Sequence, residues 1–118
     1  MAGEVVPFST KRLTPLENDI LEVVAEIHAE SGFPHPEEIN VSSRVNTGGG
    51  RNTDIWCANA VDLASPVGVP VVIKLPQLRY GAMALVFMRD KRLSFLEIAV
   101  FGDDFWNGDE TGYSLSRY

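Results

Sequence analysis

A chain of 118 residues with 16 acidic and 10 basic side chains has a net charge of −6, a hydrophobic content of 45% and a mean hydropathy near zero. That is one domain's worth of chain, residues 1–118 as a single unit, with the composition of a soluble globular protein and not of a disordered one. The acid excess argues against a nucleic-acid binder, which needs a basic face for phosphates, and suits an anionic membrane no better.

No stretch approaches the roughly 18 consecutive apolar residues of a membrane span. The opening segment "MAGEVVPFSTKRLTP" has no apolar core of signal-peptide length, because Pro7 and Ser9 interrupt it, so the cytosol is the expected compartment. The single cysteine, Cys57, excludes an internal disulfide and any CxxC metal pair. Within "DIWCANAV" it reads as a small buried hydrophobe.

The first element is a helix over "TPLENDILEVVAEIHAESG". Thr14 is its cap, Pro15 suits the first helical position, and Glu17 completes a capping box. Leu16, Ile20, Val23, Val24 and Ile27 recur at three- and four-residue steps as one apolar stripe, and Gly32 ends the run. Glu17, Glu22, Glu26 and Glu30 flank that stripe, either as a solvated surface or as an acidic interface.

Beyond the helix the period changes to two. "EINVSSRVNT" and "NTDIWCANAV" read as a hairpin joined through "GGG". "DLASPVGVP" reads as a loop, and "VVIKLPQLRY" as a strand that Pro76 ends or confines to an edge. "AMALVFM" and "LSFLEIAVF" form an apolar hairpin across a charged four-residue turn, "RDKR", and belong at the sheet centre. The tail "TGYSLSRY" offers a short edge strand. The expected fold is α+β: one N-terminal helix packed on an antiparallel sheet of about five strands.

The charge is polarised. Acids cluster at residues 15–30 and 97–110, while Lys74, Arg79, Arg89, Lys91 and Arg92 fall between them. The second cluster contains "FGDDFWNGDE", which places three aromatic side chains and four carboxylates in ten positions. As a calcium loop it fails: counting from Asp103, the third position is Phe105 and the twelfth is Ser114. "NTGGGRNT" lacks the order of a phosphate-binding loop, and no GxSxG elbow is present. His28 and His35 are the only histidines, so no transition-metal set emerges, and neither metal nor cofactor is expected. Glu97, a lone acid in an apolar strand, either faces solvent, pairs with Arg79 or Arg89, or lines a pocket with nearby carboxylates. The last option would make this a small ligand-binding or enzymatic domain; otherwise no enzyme is indicated.

Three places together resemble the small immunity and immunity-like proteins of bacterial polymorphic and contact-dependent toxin systems. They are Arg44 with "NTGGGRNT" leading into Ile55–Trp56, the pair Leu96–Glu97 in an apolar strand, and the acidic aromatic turn from Phe101 to Trp106. The likeness spans roughly the C-terminal two-thirds, although "GGG" followed by "RN" departs from the aromatic residues of that pattern.

The resemblance implies a non-enzymatic protein that binds and neutralises one cognate toxin domain by covering its active site or substrate groove. A nuclease toxin would present a basic groove, which an acidic partner surface complements. Asp103, Asp104, Asp109 and Glu110 would then stand in for phosphates, with Phe105 and Trp106 as anchors. The competing assignment gives Phe101 and either Phe105 or Trp106 to the core. A third class of reading is a homo-oligomeric module whose strands pair across chains.

Overall fold

The computed structural model describes residues 12–118. The leader-segment reading falls mostly on residues outside that range. Helix α1 (Pro15–Ile27) begins as its cap demands: the Thr14 hydroxyl accepts from the Glu17 amide at 3.1 Å, and the Thr14 amide donates to the Glu17 carboxylate at 3.0 Å. It ends at His28, after which a 3₁₀ turn (Ala29–Ser31) closes on Gly32 in the left-handed region. A second 3₁₀ turn spans Pro36–Glu38.

Seven strands follow: β1 (Asn40–Asn46), β2 (Gly50–Trp56), β3 (Val67–Gly68), β4 (Val71–Lys74), β5 (Ala82–Arg89), β6 (Arg92–Val100) and β7 (Ser114–Arg117). They form one antiparallel sheet in the order β1-β2-β6-β5-β4-β7, with β3 pairing separately to β5. The fold is therefore α+β, with the apolar hairpin β5–β6 at the centre. About five strands is an undercount. Val67 pairs with Val86 from within the segment expected to be a loop, because its side chain is buried in the core. Pro76 also does not put β4 at an edge. The strand stops at Lys74, before the proline could remove a ladder donor, so β7 is free to pair along it. The β5–β6 turn is tighter than four residues: Arg89 pairs with Arg92, leaving Asp90 and Lys91 at φ 53° and 62°.

Alternation sorts the sheet into two faces. Val41, Ile55, Ala84, Val86, Leu96, Ile98, Val71 and Ile73 are buried on the face that meets Leu16, Ile20, Leu21 and Val24 of α1. Each fully buried side chain of this size contributes about 1.5–3 kcal/mol relative to exposure. The sequence stripe differs at two positions: Leu21 belongs to it, whereas Ile27 is 46% exposed where the helix ends. The other face is half-covered and carries the stacked rings of Phe87 and Phe95, 4.4 Å apart. No helix among the described residues is long and apolar enough to cross a membrane.

Candidate functional site

Three loops meet at one end of the sheet: the β1–β2 turn, the segment before β5 and the chain after β6. Backbone bonds bind them together. The Trp106 amide donates to the Gly48 carbonyl at 2.9 Å, Val100 to Gly49 at 2.9 Å and Phe101 to Gly81 at 3.0 Å. Gly48 and Gly102 are required here twice over. Both lie at positive φ, 84° and 77°. A Cβ on Gly48 would also come within 2.9 Å of the Phe105 ring, and one on Gly102 within 3.1 Å of the Tyr80 ring. The glycines thus form a floor under two aromatic rings, beside an open recess of about 330 Å³ lined in part by Asp103, Asp104 and Phe105.

Beneath this surface lies a buried ionic network. Glu17 is wholly buried, so it is no part of a solvated helix flank. Its carboxylate accepts from Arg44 Nε at 2.8 Å and Nη2 at 2.7 Å, from the Thr53 hydroxyl at 2.7 Å, and from Arg51 Nη1 at 3.3 Å. Arg51, only 4% exposed, also donates to Glu110 at 2.5 Å, to Asn46 at 2.8 Å and to the Gly108 carbonyl at 2.8 Å. Its guanidinium lies 4.7 Å from the centre of the Trp106 ring. Glu110 closes the circuit by accepting from the Leu16 amide at the start of α1, at 3.2 Å. Burial pushes the Glu17 carboxyl up. The Arg44 hydrogen bonds, the Thr14 amide, the Arg44 charge and the Thr53 hydroxyl outweigh it and hold the group below its ordinary value.

The residues expected at a docking surface divide between these two layers. Trp106 is fully buried and donates through Nε1 to the Asp109 carbonyl at 2.9 Å, so it plugs the core and presents no ring to a partner. Phe105, its neighbour, is 71% exposed. Glu110 belongs to the buried network. Asp104 takes the Arg79 side chain at 3.0 and 3.1 Å and the Arg79 amide at 2.7 Å. That amide, then the guanidinium, holds the Asp104 carboxyl below its ordinary value. Asp109 accepts from the Thr111 amide and hydroxyl at 2.9 and 2.7 Å, an arrangement that likewise lowers its carboxyl. Asp103 is exposed and receives no hydrogen bond from a described residue. Phe101 is 38% exposed and Tyr80, under the Arg79 guanidinium, 61%.

Sequence reasoning missed Arg51 and Tyr80 and gave Glu17 a capping role and a place on the acidic helix flank, not one in a buried network. One signal for Arg51 was present: it alternates with Thr53, Ile55 and Cys57, and that phase points into the core. Cys57 itself is buried, in keeping with its reading as a small hydrophobe.

Glu97 lies on the half-covered face, opposite Leu85 on one side and Asn52 on the other, with no hydrogen bond to a described residue. Arg79, one of the partners considered for it, is engaged by Asp104. Among the described residues no group of three or more His, Cys, Asp or Glu side chains could hold a metal ion. No family model, curated protein or solved structure is found to match this chain.

Proposed function

We propose that the chain is an immunity-type protein that binds a cognate toxin domain in the cytosol and covers its active site or substrate groove, using the aromatic end of the sheet. The carrying observation is the contrast within residues 101–110: Phe105 stands 71% exposed directly beside a fully buried Trp106. An exposed aromatic on a loop clamped by an ion network, a core tryptophan and glycine turns has little conformational freedom left to lose on association. Exposed aromatics are also the residues that most often anchor interfaces. Phe105, Tyr80 and Phe101 supply the apolar area, and Asp103 supplies an exposed carboxylate for a basic partner.

Phosphate mimicry by all four acids of the loop narrows accordingly. Asp104 and Glu110 already face arginines of their own chain, leaving Asp103 and Asp109 with the net charge of −6 to steer encounter.

The test is binding of the purified protein to the product of its adjacent open reading frame, at low and high salt. Tight one-to-one binding is expected, with association slowed by salt. Phe105→Ala should weaken it by roughly 30-fold, the size of a hot-spot loss of about 2 kcal/mol. Asp103→Asn should slow association more than Asp104→Asn. Absence of binding would overturn the proposal, and binding indifferent to Phe105 and Asp103 would move the interface elsewhere.

A further inference from the structure

A groove of about 650 Å³ runs between α1 and β7, with Asp19, Glu22 and Glu26 on its helix wall and Tyr113, Leu115 and Arg117 on its strand wall. We infer that it receives an extended basic segment of a partner protein, which adds to the outer edge of β7 as a further strand and sets alternate Lys or Arg side chains against the helix carboxylates. The inference does not rest on the toxin reading, because the groove lies away from Phe105 and asks only for a cationic strand.

The ladder supplies the first argument. Among the described residues β7 is the last strand of the sheet and pairs on one side, with β4, through Val71↔Arg117, Val72↔Ser116, Ile73↔Leu115 and Lys74↔Ser114. One step beyond, the Tyr118 amide donates to the Pro70 carbonyl at 3.1 Å. Antiparallel bonding alternates along a strand, so Ser116 and Ser114 share the phase of Tyr118 and turn their main-chain groups toward β4. Leu115 and Arg117 turn theirs outward, where they meet no strand among the described residues. The opposite edge, β1, is interrupted by a register shift between Val41 and Ser43, a device that discourages pairing. The register of β7 is regular.

The second argument is the match of spacing and charge. Leu115 and Arg117 pair with the buried Ile73 and Val71, so their side chains lie on the α1 side of the sheet. Two contacts align the helix with the strand: the Tyr113 hydroxyl donates to Asp19 at 2.5 Å, and Arg117 pairs with Glu26 at 3.0 Å. The helix therefore runs in the same sense as β7. Asp19 to Glu26 spans roughly 10 Å at 1.5 Å per residue, and same-face residues of a strand repeat at about 6.8 Å. Two or three alternate side chains of an added strand would thus pass along the three carboxylates.

Glu22, midway, takes no hydrogen bond from a described residue. Arg117, already seated on Glu26, shows the kind of side chain the groove accommodates. Both members of that pair are more than half exposed, 53% and 58%, so an incoming cation displaces it at little cost.

The probe is a short fluorescein-labelled peptide of alternating arginine and valine, compared with the same peptide N-methylated at its arginines, because in an antiparallel added strand the residues opposite Leu115 and Arg117 turn their side chains toward α1 and their amides toward β7. N-methylation keeps the charge but removes the ladder donors. The full chain is expected to bind the unmodified peptide and to protect the Leu115 and Arg117 amides from exchange. N-methylation should weaken binding at least ~10-fold, and the double variant Glu22→Gln/Glu26→Gln should weaken it by about 10-fold, two surface ion pairs' worth.

Equal binding of both peptides would reduce the effect to non-specific charge attraction and overturn the inference. No binding of the unmodified peptide would overturn it as well. So would a peptide-resistant dimer in sedimentation with the same amides protected, which would give the edge to a second copy of the chain.

Discussion

The carboxylates of residues 101–110 and those along the flank of α1 look alike in the sequence but meet different surroundings. In the loop, Glu110 and Asp104 are turned back onto Arg51 and Arg79. On the helix, Glu22 has no partner among the described residues, and Glu26 holds Arg117 only at the surface. The difference follows from what lies beneath each. The loop closes over the end of the sheet, where Arg51 is buried and must be compensated. The helix flank overhangs an edge strand, where water remains. An acidic run in a sequence therefore reports neither burial nor availability. Its meaning depends on whether a cation of the same chain is buried within reach.

Helix α1 holds the sharpest form of this comparison, between Glu17 and Glu26. Glu17→Ala leaves Arg44 and Arg51 under-compensated and removes the capping box, so it should cost about 3–5 kcal/mol in urea unfolding. Glu26→Ala should cost no more than about 1 kcal/mol, since exposed pairs contribute little. Equal losses would remove the distinction.

Trp106→Ala should also cost about 3–5 kcal/mol, as expected for a fully buried large aromatic. A value near that of a surface substitution would contradict its placement in the core.

The pH dependence sharpens the same contrast. The folded-state pKa of Glu17 lies below its ordinary value. Its contribution is therefore present above the unfolded-state pKa, about 4.3, and is lost as pH falls through the folded value. Urea midpoints measured downward from pH 5 should fall more steeply for the wild type than for Glu17→Gln.

Tyr113 acts in the opposite sense. Its phenol is pushed up to about 12, first by its hydrogen bond to Asp19, so the protonated form is favoured. That contribution holds below an unfolded pKa of about 10 and disappears as pH rises toward 12. Tyr113→Phe should cost about 1 kcal/mol at neutral pH and lose its effect in the alkaline range. Absorbance titration of the phenolate checks the shift.

Smallest of all, Phe105→Ala should change stability by less than about 0.5 kcal/mol while weakening partner binding. A large stability loss would reassign Phe105 to packing.

Much of the fold was legible because it rests on local rules. The Thr14–Glu17 capping box, the apolar stripe, the Gly32 stop and the central β5–β6 hairpin all follow from residues close together in the chain. β3 was not legible, because two residues between prolines and glycines show no period, and only the groove left beside β5 makes Val67 a strand residue. The site was half legible. The aromatic and acidic character of 101–110 is plain, but the division between Phe105 and Trp106 depends on which ring meets Arg51 across the fold. Nothing local joins Glu17 to Arg51 and Glu110, which are 34 and 93 positions away in the chain. A contact of that kind appears only once the sheet is assembled.

The most direct test of whether the loop's acids are used inside the protein is a double-mutant cycle between Arg51 and Glu110. Urea unfolding of Arg51→Ala, Glu110→Gln and the double variant should give a coupling energy above about 1 kcal/mol, as expected for residues sharing one network. Additivity within about 0.3–0.5 kcal/mol would contradict the account and return Glu110 to the pool of carboxylates open to a partner.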